Sequence, residues 1–103
     1  METSEILDTS VAIERREGTI TVLTLFEHPP CNKKSFDIIF PEIQDYAKAL
    51  DIATLLREKG TPLGAIDIIL AAMCLNRTMK LITKDKDFKV IQSRVPEFQC
   101  KFV

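Results

Sequence analysis

Four acidic residues have the types and positions that metal-dependent phosphoryl chemistry requires. Asp8 directly follows a short apolar run, and Asp85 lies two residues beyond the end of another. Glu27 lies in a predicted helical turn, and Asp67 stands alone among isoleucines. Several carboxylates in one cleft repel each other unless a cation neutralises them, and Mg²⁺ and Mn²⁺ prefer oxygen ligands. Such a set could support hydrolysis of a phosphodiester through a metal-bound water.

Each acid also has an ordinary structural interpretation. Asp8 could cap the helix predicted to follow it. Asp85 and Asp87 lie in a Lys-Asp-Lys-Asp run that is typical of a solvated turn, and Glu27 could be an exposed acid at a helix end. Asp67 differs, because its run is apolar and no basic residue lies nearby in the sequence to pair with it. For Asp67 a function is the better explanation.

Short apolar strands that alternate with helices should position these acids. The strands are predicted at residues 5–7, 19–24, 37–40, 80–83 and 98–103. A short helix should stop at Gly18, residues 31–36 should form a loop, and a buried helix should cover residues 65–76. An amphipathic helix should run from Asp45 to Gly60, and its apolar positions are Tyr46, Ala49, Leu50, Ala53 and Leu56.

This order predicts an α/β fold with a parallel sheet and helices on its faces, because right-handed crossovers place a helix between parallel neighbours. Ligands bind such sheets at the carboxyl ends of the strands. Asp8 and Asp85 should therefore emerge at one edge, and they come close together if the first and fourth strands are neighbours.

Composition limits the fold class and the partners. A chain of 103 residues with 46% hydrophobic content predicts one domain over residues 1–103. A net charge of -1 gives no overall attraction to nucleic acid, so RNA binding must depend on local basic patches. No apolar run approaches the roughly 20 residues that span a bilayer, and no signal-like leader opens the sequence. We therefore expect neither a membrane-inserted nor a secreted protein.

The three cysteines lack the spacing of a zinc site or a disulfide scaffold. Cys31, Cys74 and Cys100 are widely separated, and Cys74 lies in an apolar run. The pattern indicates reduced thiols in a cytoplasmic protein, with Cys74 as a core residue.

Four motifs, in their order along the chain, resemble those of PIN domains. They are Leu7-Asp8-Thr9-Ser10-Val11, Thr24-Leu25-Phe26-Glu27, Ile66-Asp67-Ile68-Ile69-Leu70-Ala71-Ala72 and Leu81-Ile82-Thr83-Lys84-Asp85-Lys86-Asp87-Phe88. Each motif alone is weakly specific, but four in the right order are fairly specific and span almost the whole chain. In character the sequence is similar to VapC-like toxin ribonucleases and to related short prokaryotic PIN proteins.

The resemblance implies a three-layer α/β/α sandwich with a mostly parallel sheet. It implies a divalent-metal-dependent endoribonuclease, the toxin of a toxin–antitoxin pair, with an RNA substrate, an antitoxin partner and a homodimeric assembly. The acids that it assigns to a pocket for Mg²⁺ or Mn²⁺ are Asp8, Glu27, Asp67 and Asp85. Ser10 and Thr83 would hydrogen-bond the carboxylates or the metal-bound water, and Asp87 would assist or replace Asp85.

One other function remains as an alternative, and two further classes of protein are excluded by single residues. The segment between the first two strands is shorter than is usual in PIN domains, and Pro29-Pro30 interrupts the helix that carries Glu27. A catalytically weakened PIN-like module that binds protein or RNA is therefore the second hypothesis. A haloacid-dehalogenase phosphatase needs an Asp where Ser10 stands. A response-regulator receiver needs an Asp after the third strand, where Pro41 follows Phe40.

Overall fold

The computed structural model describes residues 4–103, so the first three residues of the predicted domain lie outside the described part. Strands and helices alternate through most of it. In chain order the elements are β1 Glu5–Leu7, α1 Thr9–Ala12, β2 Glu17–Thr21, α2 Val22–Glu27, a 3₁₀ helix Pro29–Lys33, β3 Ser35–Ile39, α3 Ile43–Glu58, α4 Ala65–Arg77, β4 Lys80–Thr83, α5 Phe88–Arg94 and β5 Cys100–Phe102. None of the helices in residues 4–103 is long and apolar enough to cross a membrane.

Every strand pairing that the structure describes is parallel. One sheet has the order β1-β4-β5, and β2 pairs with β3 in a second sheet. In the first sheet Leu7 lies opposite Ile82, so β1 and β4 are neighbours, which is the condition under which Asp8 and Asp85 were expected to come close together. The predicted α/β fold with parallel strands is confirmed.

The central strands lie between two apolar cores, because successive side chains on a strand point to opposite faces. Ile6 and Leu81 belong to one core, with residues of α3, α4 and α5. Leu7 and Ile82 belong to the other, with residues of α1, β2 and the 3₁₀ helix. Burying one such side chain contributes about 1.5–3 kcal/mol. Packing on both faces therefore fixes the positions at which β1 and β4 end.

Gly18 permits a close approach between β2 and β1. It has a φ of +136°, and a Cβ atom at this position would lie 2.9 Å from Leu7 Cδ1. A larger residue would be strained in this conformation and would also displace Leu7. β2 therefore packs beside β1 although their strands belong to separate ladders.

Two predicted boundaries before β3 are wrong. The first helix ends at Ala12 and not at Gly18, which lies inside β2. The second strand ends at Thr21, and the β-branched run continues as α2. The Thr21 hydroxyl accepts a hydrogen bond from Leu23 N–H (3.2 Å), which caps a helix start that strand propensity did not indicate.

Two further predictions need correction. Residues 31–36, predicted as loop, contribute to the 3₁₀ helix and to β3. On α3, Tyr46 and Leu50 were expected on the buried face but are 53% and 69% exposed, whereas Ile52 is buried. The apolar residues of α3 therefore occupy two faces, and only one of them packs on the core.

A buried ion pair joins the start of α3 to the end of α4. Asp45 is fully buried, and Arg77 donates to its two oxygens over 2.9 Å each. Asn76 Nδ2 and the Glu42 backbone N–H also donate to this carboxylate (2.9 and 2.7 Å). Burial opposes ionisation of Asp45, but the hydrogen bonds from Arg77, Glu42 and Asn76 outweigh it, so its pKa is lowered.

The cysteines are free thiols in the part of the chain that the structure describes. Cys31 and Cys74 are buried and Cys100 is partly buried. Burial raises the pKa of Cys74 to about 12, so the thiol is not ionised at neutral pH. The prediction that Cys74 is a core residue is confirmed.

We expect Arg77→Met to lower the free energy of unfolding by about 3 kcal/mol in urea denaturation, because it leaves the Asp45 carboxylate buried without its partner. Since the pKa of Asp45 is depressed, its contribution is present at neutral pH and lost as the pH falls below 3.8. The deficit should therefore shrink in acid. Arg57→Met, at an exposed position of α3, is the matched control. Equal unfolding free energies for both variants would contradict the assignment.

Candidate metal site

The carboxyl ends of β1 and β4 meet at one edge of the sheet. The backbone N–H of Asp8, the residue after β1, donates to Ile82 O in β4 (2.9 Å). Thr83 ends β4, and Asp85 follows two residues later. The expected juxtaposition of these strand ends is therefore present.

The Asp8 carboxylate is held by two hydroxyl groups. It is 7% exposed, and its Oδ2 accepts hydrogen bonds from Thr83 Oγ1 (2.7 Å) and Ser10 Oγ (2.9 Å). Asp8 precedes α1, but its side chain makes no capping hydrogen bond, so a helix cap does not explain it. Among residues 4–103, no side chain or backbone donor contacts Oδ1. That oxygen is available to a ligand.

The same two hydroxyls also fix the chain after β4. Thr83 Oγ1 accepts a hydrogen bond from Asp85 N–H (2.9 Å), and Ser10 Oγ accepts one from Lys84 N–H (3.1 Å). Thr83 is fully buried, so its hydroxyl has few alternative partners. The two hydroxyls therefore couple the position of Asp8 to the turn that carries Asp85.

Three carboxylates form a close cluster beside this turn. Asp67, Asp85 and Asp87 each offer an oxygen, and these oxygens lie within 4.8 Å of one another. Asp85 Oδ1 accepts a hydrogen bond from Asp87 N–H (2.9 Å), which sets the shape of the turn. Opposite ligands of an octahedral Mg²⁺ ion are about 4.2 Å apart. The donor type and the spacing thus fit a hard divalent ion bound directly or through water.

The pKa of Asp67 is raised by every other acid of the predicted set. It is the third residue of α4 and is partly buried. Burial and then the charges of Asp85, Asp8, Glu27 and Asp87 raise its pKa to about 6. Within the described part of the chain no Lys or Arg forms a salt bridge with it. The site therefore carries an excess of negative charge that a cation would relieve.

Glu27 is brought to this region by the short helix α2. It is exposed, and its Oε1 accepts a hydrogen bond from Thr9 Oγ1 (2.6 Å). Thr9 Oγ1 also lies 3.0 Å from Thr24 Oγ1. Because the single hydroxyl proton of Thr9 is donated to Glu27, Thr24 is the donor in the second bond. Neither Thr9 nor Thr24 was predicted as a site residue, although both lie inside the motifs that resemble those of PIN domains.

The structure thus separates the predicted residues into two groups. Asp87, predicted to assist or replace Asp85, belongs to the close cluster together with Asp67 and Asp85. Asp8 and Glu27 lie outside that cluster but close enough to raise the pKa of Asp67. The spacing of Asp85 and Asp87 in the sequence could have indicated this, since the first residue of a turn commonly bonds the backbone two residues on.

Residues 30–93 match the sequence model of the PIN domain. This match covers more than half of the chain and includes Asp67, Asp85 and Asp87. The chain therefore belongs to the PIN-domain family, as the motifs predicted. No curated protein matches the sequence.

Solved structures of VapBC toxin–antitoxin complexes share the fold. A chain of VapBC-5 from Mycobacterium tuberculosis is 19% identical with a TM-score of 0.79, and the alignment covers 99% of this chain and 100% of that one. A chain of a DNA-bound VapBC from Salmonella typhimurium is 19% identical, with a TM-score of 0.75 and 98% coverage of both chains. A chain of VapBC-1 from nontypeable Haemophilus influenzae is 18% identical, with a TM-score of 0.74 and coverages of 95% and 96%. At these identities the likeness concerns the fold alone.

We expect Asp67→Asn to stabilise the protein in metal-free buffer at pH 7.5. The pKa of Asp67 is raised from 3.8 to about 6, so the folded state binds the proton more tightly. Stability should therefore fall as the pH rises from about 4 to 6, and Asn should remove this loss. We expect the melting temperature to rise by about 4–8 °C, which corresponds to about 1 kcal/mol after the shift is discounted for solvent screening.

The difference between Asp67→Asn and the parent should vanish near pH 4, where the parent carboxyl is protonated. Asp51→Asn, an exposed acid on α3, is the control and should leave the melting temperature unchanged at both pH values. A melting temperature below that of the parent for Asp67→Asn at pH 7.5 would contradict the conclusion that the site carries an excess of negative charge.

Proposed function

We propose that this PIN-domain protein is a divalent-metal-dependent endoribonuclease. The observation that carries the proposal is the convergence of the Asp67, Asp85 and Asp87 oxygens within 4.8 Å, next to the strand end that bears Asp8. Hydrolytic chemistry of this kind needs no Ser, Cys or His nucleophile. An acidic, partly buried cluster at the carboxyl edge of a parallel sheet is also where such folds bind ligands.

The side chains divide into those that hold an ion and those that orient its ligands. Asp67, Asp85 and Asp87 are suited to hold Mg²⁺ or Mn²⁺ directly, with Asp8 Oδ1 and Glu27 contributing directly or through water. The ion that these residues would hold would supply an activated water and a positive charge beside the phosphoryl group. Ser10 and Thr83 orient Asp8, and Thr9 orients Glu27.

The biological setting follows from the family and from the structural relatives. The relatives are parts of VapBC toxin–antitoxin complexes, which supports a toxin role and an antitoxin protein as partner. The resemblance of the motifs to those of VapC-like ribonucleases supports RNA as the substrate. Ile43, Tyr46 and Leu50 expose apolar side chains on α3, which supports association with an antitoxin or a second copy in a homodimer. The free thiols support a cytoplasmic location.

A catalytically weakened binding module is the alternative. The reason for this hypothesis was the short, proline-interrupted segment that carries Glu27. The hydrogen bond from Thr9 holds the Glu27 carboxylate next to the first residue of α1 in spite of Pro29-Pro30. This contact favours the enzyme over the binding module.

We expect Mn²⁺ titration by calorimetry to give saturable binding to the parent. Asp67→Asn and Asp85→Asn should each weaken the affinity about tenfold or more, because each removes a charged oxygen donor from the cluster. Asp8→Asn should weaken it as well if Oδ1 is a ligand. Asp51→Asn removes the same charge from α3 and should bind as the parent does. Identical affinities in the parent and the cluster variants would remove the metal site from consideration.

We expect the purified protein to cut single-stranded RNA only when Mg²⁺ or Mn²⁺ is supplied. Asp85→Asn should lower kcat/KM by about 100-fold or more, since charge stabilisation of that size is typical of such groups. The readout is gel separation of a labelled oligonucleotide, and EDTA provides the metal-free control. Normal Mn²⁺ binding without any cleavage would favour the binding module.

A further inference from the structure

A second charged site lies beyond the far end of α1. A pocket of about 410 Å³ opens between the turn after α1 and the start of β3. It is lined by residues of both segments, and four of its seven side chains are cationic. The lining residues are Ile13, Glu14, Arg15, Arg16, Lys33, Lys34 and Ser35. We call this site the basic pocket.

One of the four cations has a structural role. Lys34 Nζ donates to the carbonyl oxygens of Ala12, Ile13 and Arg15 over 3.2, 3.0 and 2.8 Å. The first two carbonyls lie at the C-terminal end of α1, where the helix dipole favours a positive charge, and the third lies in the turn that follows. Lys34 therefore fixes the turn that carries Arg15, and it is not the residue that would contact a ligand.

The other three cations are available to a ligand. Arg15, Arg16 and Lys33 are exposed, and in residues 4–103 none of them has a carboxylate within salt-bridge distance. Glu14, the one acid of the lining, forms an ion pair with Lys84 instead. The basic pocket therefore keeps most of its positive charge although the chain as a whole is slightly acidic.

The basic pocket lies close to the metal site. Ala12 N–H bonds to Asp8 O, and Arg15 N–H bonds to Ala12 O, so one helical turn and one tight turn separate Asp8 from Arg15. These turns place the two Cα atoms within about 13 Å of each other. Lys84 connects the two sites, because its backbone bonds Ser10 while its side chain pairs with Glu14. A few nucleotides of single-stranded RNA can span such a distance.

We infer that the basic pocket binds the RNA phosphate backbone a few nucleotides from the bond that is cut. This inference rests on the proposed ribonuclease function. Guanidinium groups match phosphate oxygens in a two-pronged geometry, which favours Arg15 and Arg16 as the principal contacts, with Lys33 as a point charge. The acids of the metal site repel the same backbone, and a nearby cationic contact would offset this repulsion and hold the strand beside them.

The test is fluorescence anisotropy with a labelled single-stranded RNA in EDTA, which requires no metal and no catalysis. Arg15→Gln/Arg16→Gln should weaken binding about tenfold or more. It should also reduce the slope of log affinity against log salt by about 1.4, the value for two lost phosphate contacts on a single strand. Arg57→Gln/Lys59→Gln removes two exposed charges from the end of α3 and should match the parent in both respects.

The outcomes separate this inference from the proposed function. An unchanged affinity and salt slope in Arg15→Gln/Arg16→Gln would overturn the basic pocket even if the parent cuts RNA. Weakened RNA binding would support the pocket even if the parent cuts nothing. Poly-glutamate is the competitor in the same assay. If Arg15→Gln/Arg16→Gln lost affinity for poly-glutamate but kept the affinity of the parent for RNA, the inference would be overturned in favour of an acidic peptide. Lys33→Gln, with an expected slope change of about 0.7, replaces the double variant if that variant fails to fold.

Discussion

Mutual repulsion of carboxylates at the carboxyl edge of the sheet is the constraint on which the candidate site depends. The fold forces these acids together because β1 and β4 are fixed by apolar packing on both faces, with Ile6 and Leu81 on one side and Leu7 and Ile82 on the other. Two hydroxyls then hold Asp8 at the point where the strands end. The cores thus supply the free energy that keeps like charges close together.

This arrangement links the stability of the fold to the occupation of the site. With a pKa of about 6, Asp67 is largely ionised at neutral pH, and its negative charge is repelled by those of Asp85 and Asp8. A cation that binds only the folded state stabilises it by mass action and reduces the repulsion between these carboxylates. The Asp45–Arg77 pair at the other end of α4 shows the opposite arrangement, because the buried Asp45 charge has a cationic partner. At its C-terminal end, α4 therefore contributes Arg77 to an ion pair with Asp45. Near its N-terminal end it carries Asp67, which has no cationic partner among residues 4–103.

The sequence predicts where strands end better than it predicts which side chains come into contact. β4 was predicted at its observed bounds, and the family and the edge position of Asp8 followed from local patterns, since apolar runs and motif order are sequence properties. The helical state of residues 22–24 was not predictable from propensity, because the cap from Thr21 and the packing of α2 outweigh it. The exposure of Tyr46 and Leu50 depends on which neighbour covers α3, which periodicity alone does not specify. Likewise, the bond from Thr9 to Glu27 joins residues of different elements.

The two charged sites also explain how an acidic chain could act on a polyanion. Near the acids the field repels phosphate, whereas at Arg15 and Arg16 it attracts phosphate, and both sites lie within one or two Debye lengths of each other at physiological salt. An ion bound by Asp67 and Asp85 would lower the repulsive field without changing the attractive one. Metal and RNA should therefore bind with positive coupling, each increasing the affinity of the other by the same factor. The Glu14–Lys84 pair between the sites is neutral, so it leaves this division of charge intact.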